Sequence, residues 1–363
     1  MMTSLFTEDG RFRSVLRRQV DMEVVSPVPR ALWDETRSDD PDVLPTQAPA
    51  WTDAVCATGR WVDASRLYRV DGGRKLVLPA VRQRLGGSLG VEASMPTHWG
   101  FGGLIADGGV TAADVRLVLD DLARRRIVRQ SIRPNPLHGH MYTEAAPRGS
   151  VTIARRAHVL DLTGGVDVVW KGFSGSRRKS IRKAERSGVE VECDATGRLL
   201  PEFFELYARS EARWAQQQHE PLVLARFRTR FRDTLEKWQT IAAHADGGYR
   251  QWVARHDGRP VASIIVMFGA NVHHTRGAMD KEFASPVRAN DLLFWHAIQA
   301  ACATGAASYH LGESGWSGPL SDYKERFGAR PFDYPELRLE RVPITRADTA
   351  ARAVVKRVIG FQD

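Results

Sequence analysis

A basic segment in the middle of the chain has the residue types and the spacing that could bind phosphates. Residues 171–188 hold seven lysines and arginines and a single acidic residue. In a helix that starts at Ser174 or Ser176 and ends at Gly188, four cations share one face. They are Arg178, Lys179, Arg182 and Arg186. A guanidinium group can hold two phosphate oxygens and stays charged at any working pH. The spacing alone leaves a second interpretation open, a solvated face in an arginine-rich protein.

The overall composition favours a globular protein with a polyanionic partner. The 363 residues carry a formal net charge of +9, and 43% of them are hydrophobic, as in soluble globular proteins. No apolar run approaches the ~18 residues of a membrane span. Residues 1–10 lack the basic and apolar segments of a signal peptide. Three scattered cysteines form neither a disulfide framework nor a metal site, so a reducing cytoplasm is the expected compartment.

Two similar hairpin signals divide the chain into two halves. Residues 67–81 and residues 252–266 each consist of β-rich runs joined by an Asp-Gly pair. Each hairpin precedes a predicted helix, residues 111–126 in the first half and residues 290–304 in the second. The sequence therefore predicts an α/β (α+β) fold of two tandem lobes, each with a mixed, mostly antiparallel sheet flanked by helices.

The boundary between the lobes is predicted in the turn-rich residues 145–151. The second lobe opens with two helices, predicted over residues 199–217 and 224–238, whose aromatic side chains we assign to the core. The predicted domains are a first lobe over 1–150, a second lobe over 151–345 and a basic tail over 346–363.

The basic segment and four further motifs resemble the FemAB-like branch of the GNAT acyltransferases. Members of this family carry a pattern like R-x-x-I-R-x-A-x-x-x-G, which residues 178–188 match. They also carry an aromatic-Lys-x-x-Phe-Gly box after a strand and a glycine-containing loop, which residues 323–328 match. Two further matches lie at residues 277–280 and 292–295, and a looser one lies at residues 98–103. The resemblance implies two GNAT-like lobes, of which the second carries the catalytic motifs.

The resemblance also implies a reaction and roles for single residues. In the family, an amine attacks an activated acyl group, and negative charge gathers on the carbonyl oxygen. The family places a lysine against the donor end of the site, here Lys324, and a cation so placed stabilises the transition state. Tyr323 would form the wall beside Lys324, and Gly328 would permit a tight turn. Arg178 and Arg182 would anchor phosphates of the acceptor or of a tRNA. The further predicted substrate-binding residues are Trp99, Gly102, Tyr207, Glu313 and Trp316.

The acyl donor is open between two classes. Residues 285–291 stand where acetyl-CoA-dependent GNAT enzymes have a glycine-rich loop that approaches the pyrophosphate, and this stretch has no glycine. The departure favours aminoacyl-tRNA, which FemAB-like enzymes often use, over acyl-CoA or an acyl carrier protein. The sequence also lacks the long charged heptad stretch of the family's coiled-coil arm. This weakens a cell-wall acceptor and leaves small-molecule or nucleotide-linked amines open.

Other chemistry finds less support in the sequence. His273 and His274 are adjacent in a predicted strand and would point to opposite faces, and no further residues at metal-ligand spacing accompany them. We therefore predict no metal and no bound cofactor, and we favour a monomer. Asp322 or Glu313 could accept the proton of the amine. The alternative from another class is a non-catalytic basic protein that binds nucleic acid, which predicts salt-sensitive binding without turnover.

Overall fold

The computed structural model describes residues 4–5, 13–14, 22–84 and 90–359. Most of residues 1–10, for which the sequence predicts no signal peptide, lie outside these ranges, as do the last four residues of the predicted tail. The described strands are β1 (Ser4–Leu5), β2 (Arg13–Ser14), β3 (Glu23–Val25), β4 (Trp61–Asp63), β5 (Arg66–Arg69), β6 (Lys75–Leu78), β7 (Val81–Gln83), β8 (Val91–Ala93), β9 (Ile105–Ala106), β10 (Arg129–Ile132), β11 (Val151–Asp161), β12 (Glu190–Asp194), β13 (Tyr249–His256), β14 (Arg259–Met267), β15 (Val272–Met279), β16 (Ser308–Glu313) and β17 (Arg330–Glu340). The described α-helices are α1 (Arg30–Ser38), α2 (Pro49–Ala57), α3 (Ala112–Arg124), α4 (Gly139–Ala145), α5 (Gly165–Gly172), α6 (Gly175–Arg186), α7 (Leu200–Gln217), α8 (Leu222–Arg232), α9 (Leu235–His244), α10 (Lys281–Val287), α11 (Ala289–Ala303), α12 (Gly318–Glu325) and α13 (Ile344–Ile359).

Eleven of these strands form one sheet that runs through both halves of the chain, in the order β12-β13-β14-β15-β16-β11-β17-β10-β8-β7-β4. All neighbours are antiparallel except β8 with β10 and β15 with β16. The mixed, mostly antiparallel fold with flanking helices is thus confirmed. The two halves share the sheet because β17 lies between β10 and β11, with Leu337 opposite both Ile132 and Thr152. Because β11 starts at Val151, we keep residue 150 as the proposed lobe boundary.

Both Asp-Gly hairpins are present. β5 pairs with β6 and β13 pairs with β14, each antiparallel. Gly258 follows Asp257 in the second turn with a φ of +73°, a left-handed conformation that glycine adopts without a steric penalty. The helix predicted over residues 111–126 is α3. Thr111 caps its start, because its hydroxyl accepts the backbone N–H of Asp114 at 3.2 Å.

The single helix predicted over residues 224–238 is wrong, because the chain forms α8 and α9 with a break at Asp233. The hydroxyl of Thr234 accepts the backbone N–H of Lys237 at 3.0 Å and so caps the start of α9. The break turns Asp233 and Lys237 toward Arg276 of β15. The apolar sides of α7 and α9 pack on the sheet in a core with α2, and α6 and α11 pack in a second core on the sheet.

Candidate active site

The sheet opens where β15 and β16 separate. These strands pair at only two positions, Val272 with Tyr309 and His273 with His310. Beyond them β15 stays paired with β14, and β16 bends at Gly312, which has a φ of +75°. The gap holds a cavity of about 620 Å³, which we call the second-lobe cavity, and residues of α7, α11 and α12 complete its lining. The cavity lies where α12 brings its last turn against the sheet.

Lys324 lies in this last turn with its side chain buried in the cavity wall. Its Nζ donates hydrogen bonds to the backbone carbonyl oxygens of Gly312 and Glu313, both at 2.8 Å. Burial lowers the pKa of Lys324 to about 7, and the charge of Glu313 opposes part of this shift. Negative charge that develops in the cavity would therefore favour the protonated lysine.

A buried ion pair supports Tyr323. Arg177 of α6 pairs with Asp291 in the first turn of α11, and both side chains are buried. The Arg177 guanidinium lies 4.2 Å from the centre of the Tyr323 ring and donates to the Tyr323 backbone carbonyl at 3.1 Å. Asn290 donates to the Tyr323 hydroxyl at 2.9 Å. Burial and the charge of Asp291 raise the pKa of Tyr323 well above its ordinary value, so the hydroxyl stays neutral.

His158 of β11 ties α12 to the sheet. Its Nδ1 lies 3.1 Å from the hydroxyl of Ser314, and its Nε2 lies 3.0 Å from the hydroxyl of Ser321. The same Nε2 lies 3.3 Å from the carboxylate of Glu325. Burial lowers the pKa of His158, although Glu325 opposes the shift. The cluster fixes the segment that leads into Lys324 at both of its ends.

Tyr207 of α7 lines the second-lobe cavity and belongs to a charged cluster. Its hydroxyl donates to the Asp233 carboxylate at 3.3 Å and accepts a hydrogen bond from Arg232. Asp233 also accepts from Arg276 at 2.7 Å and from Lys237 at 3.3 Å. Burial would raise the pKa of Asp233, but the three surrounding cations hold it below its ordinary range. The cluster exists because α8 ends at this point.

Two further cavities adjoin the second-lobe cavity. The first-lobe cavity, of about 800 Å³, is lined by six arginines, Arg60, Arg84, Arg129, Arg133, Arg228 and Arg232. In the described part of the chain, Glu336 is its only acidic lining residue. A connecting cavity of about 230 Å³ shares Glu313 with the second-lobe cavity and Trp99 with the first-lobe cavity. His98 lines all three, so the three cavities meet at this residue, and we call them together the cleft.

The basic face of α6 lies outside this cleft. Lys179, Arg182 and Arg186 are exposed, and none of them lines any of the three cavities. Arg178 donates to the backbone carbonyl of Lys171 at 3.0 Å and also to that of Phe173, so it stabilises the C-terminal end of α5. Phosphate binding by these four side chains stays a prediction.

Arg177 is the residue of α6 that sequence reasoning missed. Arg177, Ile181 and Ala184 are the buried residues of this helix. Their spacing of four and three residues is that of an inward helix face, which the sequence shows. A charged side chain at an inward position requires a partner, and Asp291 supplies it.

The remaining predicted residues are dispersed. Trp99 lines the first-lobe and connecting cavities, whereas Gly102 lies outside their linings. Trp316 is exposed and packs against Arg156, whose guanidinium lies 4.5 Å from the ring centre. Gly328 has a φ of +81°, in the left-handed region. Four of the twelve predicted site residues line the second-lobe cavity, namely Tyr207, Glu313, Tyr323 and Lys324.

Within the described ranges, no three or more His, Cys, Asp or Glu residues form a group that could hold a metal ion. His273 and His274 contact different aromatic rings, with ring centres 4.9 Å from Phe101 and 4.7 Å from Phe294 respectively. No described helix combines the length and the apolar character needed to cross a membrane.

Known proteins are similar to this chain in sequence over part of its length and in fold over most of it. The sequence model of the acetyltransferase (GNAT) domain matches residues 173–325, which include α6, β15, α11 and α12. Among solved structures, FemX has a TM-score of 0.61 at 12% identity, over 88% of this chain and 97% of FemX.

Two further solved structures have lower TM-scores. The tandem GNAT protein from the clavulanic acid biosynthesis pathway has a TM-score of 0.43 at 12% identity, over 88% of this chain and 97% of that chain. L-PGS from Bacillus licheniformis has a TM-score of 0.43 at 14% identity, over 86% of this chain and 98% of that chain. None of the curated protein sequences matches significantly. Residues 173–325 therefore match a GNAT acetyltransferase domain, and the resemblance to the FemAB-like branch is confirmed at the level of the fold.

Proposed function

We propose that this GNAT protein is an N-acyltransferase that transfers an aminoacyl group from aminoacyl-tRNA to the amine of an anionic small molecule or cell-wall precursor. The observation that carries the proposal is the position of Lys324 in the wall of a cavity that opens into the sheet. An ammonium group has three donors, and two of them are used by Gly312 and Glu313. The third can stabilise an oxyanion in the cavity.

In the proposed reaction, this third N–H donor of Lys324 stabilises the transition state. The neutral amine attacks the ester carbonyl of the donor, a C–N bond forms, and the C–O bond to the ribose breaks. The amine loses a proton and the departing ribose oxygen takes one up. Charge on the carbonyl oxygen is largest between the two events, where a preorganised cation contributes most. Tyr323, fixed by Arg177 and Asn290, limits the space beside Lys324.

The N-terminus of α11 favours a tRNA donor over acyl-CoA. A pyrophosphate that bound there would rely on free N–H groups and on the positive end of the helix dipole. α10 and Arg288 precede α11 directly, and the first turn already holds the Asp291 carboxylate. A tRNA donor also implies a cytoplasmic location, where the free cysteines Cys56, Cys193 and Cys302 remain reduced.

The six arginines of the first-lobe cavity favour an anionic acceptor. A guanidinium pairs well with carboxylate or phosphate oxygens. Arg60, Arg84 and Arg228 are exposed and accessible to a ligand, and Arg228 has Glu220 as a partner. An acceptor bound here extends past His98 to Lys324 through the cleft. The alternative donors, acyl-CoA and acyl carrier protein, keep support from the match of residues 173–325 to an acetyltransferase domain.

The test is transfer from a mixed pool of labelled aminoacyl-tRNAs to an amine-containing extract, followed by mass spectrometry. A product that disappears after ribonuclease treatment of the donor pool is expected, and its mass identifies the amino acid and the acceptor. Turnover only with acyl-CoA or acyl carrier protein would move the assignment to the alternative donor. Salt-sensitive RNA binding without any turnover would instead support a nucleic-acid-binding protein.

A further inference from the structure

His98 stands at the junction of the cleft. It is the one described residue that lines the first-lobe, connecting and second-lobe cavities together. An acceptor that is held by the arginines and reaches Lys324 must therefore pass His98. The second-lobe and connecting cavities also share Glu313, whose backbone carbonyl binds Lys324. His98 thus lies between the arginines of the first-lobe cavity and the cavity that holds Lys324.

The backbone of His98 is held in an unfavourable conformation. Its φ is +70°, a left-handed value that is uncommon for a residue other than glycine. Arg276 donates to its carbonyl oxygen at 2.8 Å and Lys237 donates to it at 3.2 Å. Both cations are in turn bound to Asp233. Such strain persists only where surrounding contacts enforce it, and it is concentrated at functional sites.

The imidazole of His98 is available to a ligand. Among the described residues, neither of its ring nitrogens has a hydrogen-bond partner, and the residue is exposed to the cleft. The protein packed around the ring and the charges of Arg232, Arg276 and Arg133 lower the pKa of His98 to about 3, whereas Asp233 opposes them, although part of the residue is exposed to the cleft. The ring is therefore neutral at pH 7, and it needs a bound anion that offsets these cations before it can accept a proton.

We propose that His98 is the general base that takes the proton from the ammonium group of the acceptor. The N–H bond of the ammonium breaks, the proton moves to an imidazole nitrogen, and the nitrogen lone pair attacks the acyl carbonyl. The imidazolium then returns the proton to the departing oxygen of the donor or to water. This assignment rests on the proposed function, since it requires an amine acceptor.

An anionic acceptor would strengthen this base. The free cleft holds several cations near His98, and they disfavour a further positive charge. A carboxylate or phosphate bound by the arginines neutralises part of that charge, so the imidazole becomes more basic when the substrate is present. Substrate binding and proton transfer are then coupled, and an amine without the anionic group reacts poorly.

The other candidates for the base are less well placed. Asp322 is exposed and does not line the second-lobe cavity. The carboxylate of Glu313 accepts the hydroxyl of Tyr334 and lies 3.9 Å from Arg133. Lys237 donates to three oxygens, so none of its N–H donors is left for a substrate.

The test compares two acceptors of the same length, β-alanine and aminooxyacetate. At pH 7 the first carries an ammonium group, whereas the nitrogen of the second is already neutral. The variant is His98→Asn, because asparagine tolerates the left-handed backbone and accepts no proton. His140→Asn, at an exposed site outside the cleft, is the matched control. Product formation from saturating aminoacyl-tRNA is measured by mass spectrometry between pH 6 and 9.

We expect His98→Asn to slow transfer to β-alanine by about 10²–10³-fold at pH 7 and transfer to aminooxyacetate by less than about 10-fold. The defect on β-alanine should shrink as the pH rises and free amine accumulates, and added imidazole should restore part of the rate. Equal losses on both acceptors at every pH would reduce His98 to a structural role and overturn the assignment. Wild-type protein that forms no product from any aminoacyl-tRNA, either with these two acceptors or with the amine-containing extract, would overturn the proposed function instead.

Discussion

The large sheet contains two pairs of parallel strands, one in each half of the chain. In each pair the two strands diverge after a few paired positions and leave a gap. The chain bridges this gap only in the first half. β8 and β10 pair over three positions and then diverge. The gap after them is bridged by the chain, because Ser94 donates to the Ser131 carbonyl at 2.8 Å and Gly102 donates to the Arg133 carbonyl at 2.7 Å. β15 and β16 pair over two positions, and the gap after them holds the second-lobe cavity.

The difference shows what an open gap contributes to chemistry. In the first half the ligand space lies on one face of the sheet, because the alternate residues Val91, Ala93, Arg129 and Ser131 line it. In the second half the gap leaves backbone carbonyls of β16 within reach of a side chain. Lys324 binds two of them, at Gly312 and Glu313, and is thereby held inside the sheet. We infer that the closed gap serves recognition and the open gap serves the reaction.

The largest effect that we expect is the loss of stability when the buried ion pair between Arg177 and Asp291, beside the open gap, is broken. Arg177→Met leaves Asp291 buried without its partner, and the free energy of unfolding should fall by about 3–5 kcal/mol. Chemical denaturation measures this loss. Burial already raises the pKa of Asp291, so the variant should recover stability at acidic pH, where the carboxyl takes up a proton.

The neighbouring Lys183→Met is the matched control for this prediction, because Lys183 is exposed on the same helix. It should change stability by no more than about 0.5 kcal/mol. Equal stability of Arg177→Met and Lys183→Met would show that the pair does not support the wall of the second-lobe cavity.

The second effect in size is the loss of the buried cation. Lys324→Met keeps a side chain of similar length, so the fold should remain intact. Transfer should slow by about 10²–10³-fold, or about 3–4 kcal/mol in barrier, because the oxyanion loses its donor. Single-turnover rates at saturating acceptor measure it, and Lys281→Met, at an exposed lysine outside the cleft, is the control. A wild-type rate for Lys324→Met would remove the open gap from the mechanism.

Filling space in the two gaps should give opposite results for stability. A Cβ on Gly102 would lie 2.8 Å from the Ser94 hydroxyl and 2.9 Å from its backbone carbon, so Gly102→Ala should cost about 1–3 kcal/mol. A Cβ on Gly277, in the lining of the second-lobe cavity, would meet its nearest neighbour at 3.5 Å. Gly277→Ala should then be neutral or stabilising by up to about 1 kcal/mol. Thermal unfolding of both variants provides the comparison, and equal losses would contradict a closed first gap.

Local signals predicted the parts of the fold that depend on few residues. The Asp-Gly turn at Gly258 and the cap at Thr111 act within three or four positions, so their residue types suffice. The break at Asp233 was missed because the apolar periodicity continues through it, whereas the structure uses Thr234 as a cap. The position of the helix break depends on the cations that bind Asp233. One of them, Arg276, lies 43 residues away in the chain.

Prediction of the site from the sequence has the same limit, because the deciding contacts join residues that are far apart in the chain. The motif around Lys324 led to the second-lobe cavity, because its type and its position after β16 are local features. The charge of α6 indicated a phosphate-binding face, yet the sequence could not tell which cations have protein partners. Arg177 and Arg178 are adjacent, but the first pairs with Asp291 and the second with carbonyl groups of α5. The backbone carbonyl of His98 is bound by Lys237 and Arg276, which lie 139 and 178 positions away in the chain.

The smallest expected effect comes from the exposed face of α6, which lies outside both gaps. Replacing Lys179, Arg182 and Arg186 by glutamine should weaken tRNA binding without changing the rate at saturation. Each removed phosphate contact should reduce the slope of log KM against log salt by about 1. A triple glutamine variant of Arg346, Arg352 and Arg357, which are exposed on α13, removes the same charge elsewhere. Equal slopes for the two triple variants would show that tRNA binding depends on the net charge of the protein and not on the exposed face of α6. The specific contacts would then lie at the two gaps alone.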